Sequence, residues 1–418
     1  MNTQPSCRLA QICAFLTLTM MLNACGGGSV SAPPPAQAAS SPVQKPPAPQ
    51  KNVNNTVPIT VTNSRYGAVN TPYISIRICS PDKPGSCQTI DHILLDTGSV
   101  GLRIYASALD PSVTPKSIVD ANGNELAECM QFAEGYMWGP LRSINLELAD
   151  EAALNLAMQV VSDPDFGSIP DPCTGTGNML DTAQSFSASG VLGIGLFNQD
   201  CGKYCAQTPG IYYACNTQGC TGITLNVTSQ IQNPVTQFST NNNGTIISLN
   251  GLTNSIPALS ASGTLTFGVD TQANNASSNA NTLTADSGNG YIVTEFAGKN
   301  YSDSYLDSGS NVIFFDPPDH TLPVCATAAS YYCPAQTLSL SAVLTGTNNA
   351  SVSVAFGAAN ALSLFQNYRG YSAYPDLTGG ASSGATFDWG LPFFYGKTIY
   401  TVIEGNRSSK GTGPYFGW

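Results

Sequence analysis

The segment Leu95-Asp96-Thr97-Gly98-Ser99-Val100-Gly101-Leu102 returns in the second half of the chain as Leu306-Asp307-Ser308-Gly309-Ser310-Asn311-Val312-Ile313. Self-similarity of this kind marks an internal repeat. Apolar residues frame both copies, Ile93-Leu94-Leu95 ahead of the first and Ile313-Phe314-Phe315 behind the second, as expected of a buried strand that runs into a tight turn and out again. Each copy thus sets an Asp at the edge of buried strands, where an ionised carboxylate is costly unless donors or a proton-sharing partner meet it. The Gly-Ser that follows supplies donors: glycine lets backbone N–H groups turn back toward the carboxylate, and the serine hydroxyl can donate to its outer oxygen. If the copies face each other across a pseudo-twofold axis, Asp96 and Asp307 are like charges at close range and share a proton. Such a pair can take a proton from water and give one to a carbonyl or leaving amine, which suffices for peptide hydrolysis without a metal or a covalent intermediate.

The remaining composition agrees with carboxylate chemistry. The 418 residues carry 15 Lys+Arg against 26 Asp+Glu, a net charge of -11 that excludes nucleic acid as the main partner. With two histidines, His92 and His320, the chain is poorly supplied for Ser-His-Asp triads or multi-histidine metal sites. His320 beside Asp319 reads as a solvated loop residue, and His92 as packing near the first repeat's strand. Forty Gly, 28 Pro and much Ser, Thr, Asn and Val favour short strands and turns, so the body is expected to be all-β. No cofactor and no metal is called for.

Further motifs carry a family resemblance. Ala188-Ser189-Gly190-Val191-Leu192-Gly193-Ile194-Gly195 resembles the first apolar-apolar-Gly segment of the pepsin-like aspartic peptidases, and Gly263-Thr264-Leu265-Thr266-Phe267-Gly268-Val269-Asp270 the strand that closes their N-terminal lobe. Phe387-Asp388-Trp389-Gly390-Leu391-Pro392-Phe393-Phe394, with Thr398-Ile399-Tyr400-Thr401-Val402 after it, is similar to the second such segment and its following strand. These occur in the family's order over roughly residues 56–418; one Asp-Thr/Ser-Gly-Ser alone is a weak signal, whereas two in this frame are a strong one. The resemblance implies a bilobal fold with a pseudo-twofold axis and a cleft, lobes at residues 56–275 and 276–418, and Asp96 and Asp307 as the catalytic pair. It also implies that Thr97 and Ser308 cross-link the two turns, that Gly98 and Gly309 allow their tight geometry, and that Ser99 and Ser310 orient the outer oxygens. In turns, Ser and Thr can equally satisfy only local backbone groups.

The family's flap, a hairpin bearing a tyrosine, maps to residues 130–140. Phe132 falls where the tyrosine is expected, Glu134-Gly135 forms the turn, and Tyr136 or Trp138 could replace the missing contact or simply pack. Asp388 occupies a place that is apolar in the family and is expected to face solvent rather than add a third carboxylate. No basic, helical pro-segment precedes the body, so the protein is either made uninhibited or has low activity.

Residues 1–24 read as an export signal: an apolar run over 9–22, shorter than a membrane span, ends at Leu22-Asn23-Ala24-Cys25, which looks like a bacterial lipoprotein processing site with Cys25 lipidated. An ordinary signal peptide with an incidental cysteine is the bland alternative. Residues 25–55, rich in Pro, Ala, Ser and Gly, cannot bury a core and read as a tether. Of the 13 cysteines, Cys7 and Cys13 would leave with the signal and Cys25 would take lipid, leaving enough for five bridges. Cys79 with Cys87, Cys325 with Cys333, a nested set among Cys201, Cys205, Cys215 and Cys220, and Cys129 with Cys173 are the expected pairs. Disulfides are preferred over a zinc site in the Cys201 to Cys220 cluster, which is expected to be a stapled surface loop. The lipidated, cysteine-bearing form resembles a bacterial branch of the family known only as a domain of unknown function. An aspartic endopeptidase is therefore expected, monomeric because both motifs lie on one chain, acting on peptide or protein in the bacterial cell envelope and held to the membrane only by lipid. Gly26 points toward the outer membrane. The alternatives are a non-catalytic protein that binds a peptide or glycan in the cleft, and a purely structural envelope lipoprotein.

Overall fold

Strands covered on both faces surround the first repeat. Val100–Tyr105 and Gly190–Ile194 are buried at every residue, the pattern of central strands whose sequence runs apolar without alternation. In the computed structural model, residues 54–418 are described apart from 63–64, 168, 254–255, 278–279, 319–320 and 382. The signal-peptide reading, Cys25, all but the end of the tether, and His320 lie outside these residues. Asn55, the last residue assigned to the tether, already belongs to the body: its side-chain amide donates to the Phe267 carbonyl at 2.7 Å.

The architecture is all-β and bilobal. In the first lobe the strand Cys87–Asp96 runs parallel to Gly190–Ile194, with Asp96 opposite Gly193, while Val100–Tyr105 lies antiparallel on the other side. In the second lobe Lys299–Leu306 runs parallel to Thr386–Trp389, with Leu306 opposite Trp389, and Ile313–Phe315 lies antiparallel beyond it. Each Asp turn thus leaves one side of an intruding strand and returns on its other side. The repetition of this local topology is the pseudo-twofold, pepsin-like relation that the paired motifs implied.

The sheets are not divided at the expected lobe boundary. Thr398–Val402 pairs with Gly244–Leu249, and Tyr415–Gly417 lies between Thr398–Val402 and Thr282–Thr284, so the end of the chain completes the sheet begun by Thr56–Val61. Burial anchors the second lobe's intruding strand: the Phe387 ring stacks on Phe315 at 4.7 Å and on Trp389 at 4.5 Å, and the Trp389 indole donates to Thr294 Oγ1 at 3.0 Å. Each such aromatic contributes about 1.5–3 kcal/mol by leaving water.

All ten body cysteines pair, as Cys79–Cys87, Cys129–Cys173, Cys201–Cys205, Cys215–Cys220 and Cys325–Cys333. The nested set is corrected: the four central cysteines form two short local bridges, because the helix Lys203–Gln207 and the hairpin turn after Tyr212–Asn216 each bring neighbouring cysteines together. Nor is this insertion merely a surface loop. Its strand Tyr212–Asn216 pairs with Glu125–Phe132, which extends the flap's own ribbon.

Candidate active site

The two turns are fastened to each other by four hydrogen bonds. Thr97 Oγ1 donates to the Leu306 carbonyl at 2.9 Å and accepts from the Ser308 N–H at 2.9 Å; Ser308 Oγ donates to the Leu95 carbonyl at 2.8 Å and accepts from the Thr97 N–H at 3.1 Å. Every one crosses between lobes, so neither hydroxyl serves only its local backbone.

Within each turn the carboxylate gathers the expected donors. The Gly98 N–H donates to Asp96 Oδ1 at 2.7 Å and Ser99 Oγ donates to Asp96 Oδ2; the Gly309 N–H donates to Asp307 Oδ1 at 2.7 Å and Ser310 Oγ to Asp307 Oδ2 at 3.0 Å. The glycines are required by proximity. A Cβ at Gly98 would lie 2.5 Å from Asp307 Oδ2, and one at Gly309 would lie 2.7 Å from Asp96 Oδ1, so any side chain would occupy the place of the opposite carboxyl. Burial first, and then the negative charges of Asp96 and Asp388, hold the Asp307 carboxyl well above the usual carboxylate range.

The pair opens into a cleft of about 520 Å³ lined by Phe132, Glu134, Tyr291 and Tyr305 among others. The family described as "Protein of unknown function (DUF3443)" matches residues 51–418. The chain belongs to the DUF3443 family. It is also similar in structure to the crystal structure of aspartic proteinase from Irpex lacteus, at 15% identity and a TM-score of 0.49, over 87% of this chain and 96% of that one. No curated protein matches it.

The flap of this DUF3443 chain is the hairpin of Glu125–Phe132 and Gly135–Leu148, with Phe132 paired to Gly135. Its turn is therefore Ala133-Glu134, one residue earlier than expected. Directly paired residues share a face, so Met130, Phe132 and Met137 lie on one side and Cys129, Tyr136 and Trp138 on the other. The first side packs toward the cleft with Leu180 and Phe186, whereas Tyr136 and Trp138 are buried around the Cys129–Cys173 bridge. Tyr136 and Trp138 are thus removed from the candidate site and serve as packing. Phe132 alone of the three lines the cleft, where it presents no hydroxyl.

Asp388 is the second correction. It is 4% exposed and lies in the cleft wall, with its Oδ2 2.6 Å from Ser310 Oγ. Burial above all, with the charges of Asp96 and Glu134, keeps its carboxyl protonated well above the usual range, although Ser310 works the other way. The strand Thr386–Trp389 has neighbours on both edges, Lys299–Leu306 and Ile313–Phe315, and the face that carries Asp388 is turned to the cleft rather than to the outer surface.

Behind the first turn lies a group of charges that motif reading did not reach. The fully buried Arg103 donates from Nη2 to Glu128 Oε1 at 2.8 Å and to Asp200 Oδ2 at 3.0 Å, from Nε to Glu128 Oε2 at 3.2 Å, and from Nη1 to the Val100 carbonyl at 2.8 Å. Tyr212 donates to Asp200 Oδ1 at 2.6 Å. An arginine inside the otherwise apolar run Val100–Tyr105 was the available signal. His92, with its ring 5.1 Å from that of Tyr73, lies outside the cleft lining.

These carboxyls fix how stability depends on pH. Asp200, Asp307, Asp376 and Asp388 are all raised, with burial the leading cause in each. Above 3.8 the unfolded chain releases protons that the folded chain keeps, so stability falls as pH rises from there. Asp270 is lowered by its serine donors even though burial opposes them, and it loses its contribution below 3.8; His92 is lowered mainly by burial and costs stability as pH drops through 6.5. Thermal unfolding should therefore show its highest midpoint at about pH 4–5 and a lower one at pH 7. A midpoint that climbs steadily to neutrality would contradict the burial of these carboxyls.

Proposed function

We propose that this protein is an aspartic endopeptidase that hydrolyses an extended peptide lying in the inter-lobe cleft. The observation that carries the proposal is the reciprocal Thr97 and Ser308 cross-link, which holds Asp96 and Asp307 close enough to share one proton. The ionised member takes a proton from a water between them as that water attacks the scissile carbonyl, and the protonated member gives its proton to the carbonyl oxygen. The tetrahedral intermediate then breaks down as the leaving nitrogen takes up a proton from the pair. Since the chemistry needs one proton on the pair, cleavage falls as pH rises far enough to remove it, and an acidic to mildly acidic optimum follows.

The proposal extends to setting: export, a lipid on Cys25, and a monomeric body in the bacterial envelope. Five bridges support an oxidising compartment. The test is cleavage of a mixed peptide library by the purified protein from about pH 3 to 7, with Asp96→Asn as control. Cleavage that disappears in the variant and is blocked by a statine-type transition-state mimic is the expected result. A folded, fully bridged sample that cuts nothing across that range would refute it. One observation favours a second reading, a non-catalytic protein that binds peptide or glycan in the cleft: the flap offers the phenyl ring of Phe132 and no hydroxyl.

A further inference from the structure

The two lobes differ at a buried position beside the carboxylates. Registering each strand against its Asp turn makes Val191, opposite Leu94 and Arg103, the counterpart of Asp388, opposite Tyr305 and Phe314. Ser99 therefore meets the single carboxyl of Asp96, whereas Ser310 Oγ lies 3.0 Å from Asp307 Oδ2 and 2.6 Å from Asp388 Oδ2.

A hydroxyl has one proton and can donate to only one of two carboxylates. If both were ionised, one contact would oppose lone pairs in a buried site. Asp388 Oδ1 has no hydrogen-bond partner. A neutral carbonyl oxygen bears that isolation far better than half of an anion does. The groups that face Asp388 are Tyr305 on the neighbouring strand, Asp307 and Asp96 on the turns, and Glu134 at the flap tip, while Phe314 on the other side does not titrate. No lysine, arginine or histidine lines the cleft among the described residues.

We propose that Asp388 is a positioning residue that carries its own proton, donates it to Ser310 Oγ, and so commits the Ser310 proton to the outer oxygen of Asp307. The cluster then holds two protons, one shared by Asp96 and Asp307 and one on Asp388 Oδ2. The second lobe's carboxylate receives a polarised donor that the first lobe's lacks, which fixes which member of the pair is the better base. This rests on the peptidase reading only for its kinetic consequence; the proton on Asp388 stands apart from it.

The test uses the full chain labelled with ¹³Cγ-aspartate, as wild type, Asp388→Asn and Asp388→Leu. At about pH 6, above the ordinary carboxylate range, wild type should show one more protonated aspartate than Asp388→Asn. An equal number means that Asp388 is ionised, and overturns the proposal whether or not any peptide is cut. In kinetics, Asn keeps an N–H donor toward Ser310 and should keep kcat, while Leu should lower kcat by about tenfold with KM within about twofold. Leu performing as well as Asn would overturn the positioning role. The Leu variant should melt at or above the wild-type temperature, since it removes an unpartnered buried oxygen, so its kinetic loss is not a folding defect. If the wild type itself cuts nothing, the peptidase reading fails and the proton count alone decides the fate of this inference.

Discussion

Asp307→Asn is expected to lower peptide cleavage by about ten-thousand-fold or more, the upper range of what a positioned acid or base contributes, while leaving the protein folded. Asparagine nearly matches the shape of aspartate and still accepts from the Gly309 N–H through its amide oxygen. What it cannot do is exchange a proton with Asp96. The remaining carboxylate is left without the acid that must protonate the substrate carbonyl, and neither half of the reaction proceeds. The same change removes a group that burial holds protonated at a cost to folding, so the melting temperature should not fall. Loss of cleavage with an unchanged or higher midpoint would locate the defect in chemistry. Residual cleavage within about tenfold of wild type would mean that Asp307 is not half of the catalytic pair.

Arg103→Met is expected to destabilise the protein by about 3–5 kcal/mol, as for removal of one partner from a buried charge group. Methionine matches much of the side chain's length but leaves Glu128 and Asp200 facing each other with no cation between them. Burial and the charge of Glu128 already hold the Asp200 carboxyl up; without Arg103 both groups must take up protons or admit water. The lost guanidinium also gave up a bond to the Val100 carbonyl, one residue past Ser99, and a bidentate pair on the flap strand Glu125–Phe132. Denaturant titration is the direct measurement, and the deficit should shrink at low pH as the carboxyls protonate. Replacing Arg103, Glu128 and Asp200 together by apolar residues should recover much of the loss, because no buried charge is then left unpaired.

The paired Asp turns were legible because their chemistry is local. Asp96 through Ser99 and Asp307 through Ser310 carry their own donors, so the motif states the geometry. The cysteine partners at Cys79 and Cys87 followed from hairpin spacing for the same reason. What escaped depended on the covering of a strand. Asp388 sits between Phe387 and Trp389, and alternation places it on the opposite face from both; that predicts solvent for an edge strand, but this strand is central and its other face is the cleft. The flap failed on parity. Tyr136 and Trp138 lie an even number of residues apart and so share a face, but which face depended on a turn of Ala133-Glu134 rather than Glu134-Gly135. A shift of one residue exchanges the two sides. The Arg103 group joins residues far apart along the chain, and no spacing rule connects Arg103 to Asp200.

The place of Tyr415–Gly417 in the first sheet has a consequence for biosynthesis. A polypeptide made from its N-terminus presents residues 56–275 well before residues 398–402, yet the rim strand Gly244–Leu249 of their sheet stays unpaired until Thr398–Val402 is delivered. Closure of this sheet thus waits on strands supplied late in synthesis: a stop ahead of Thr398 removes the strand that pairs with Gly244–Leu249, and a stop ahead of Tyr415 removes the one that joins Thr398–Val402 to Thr282–Thr284.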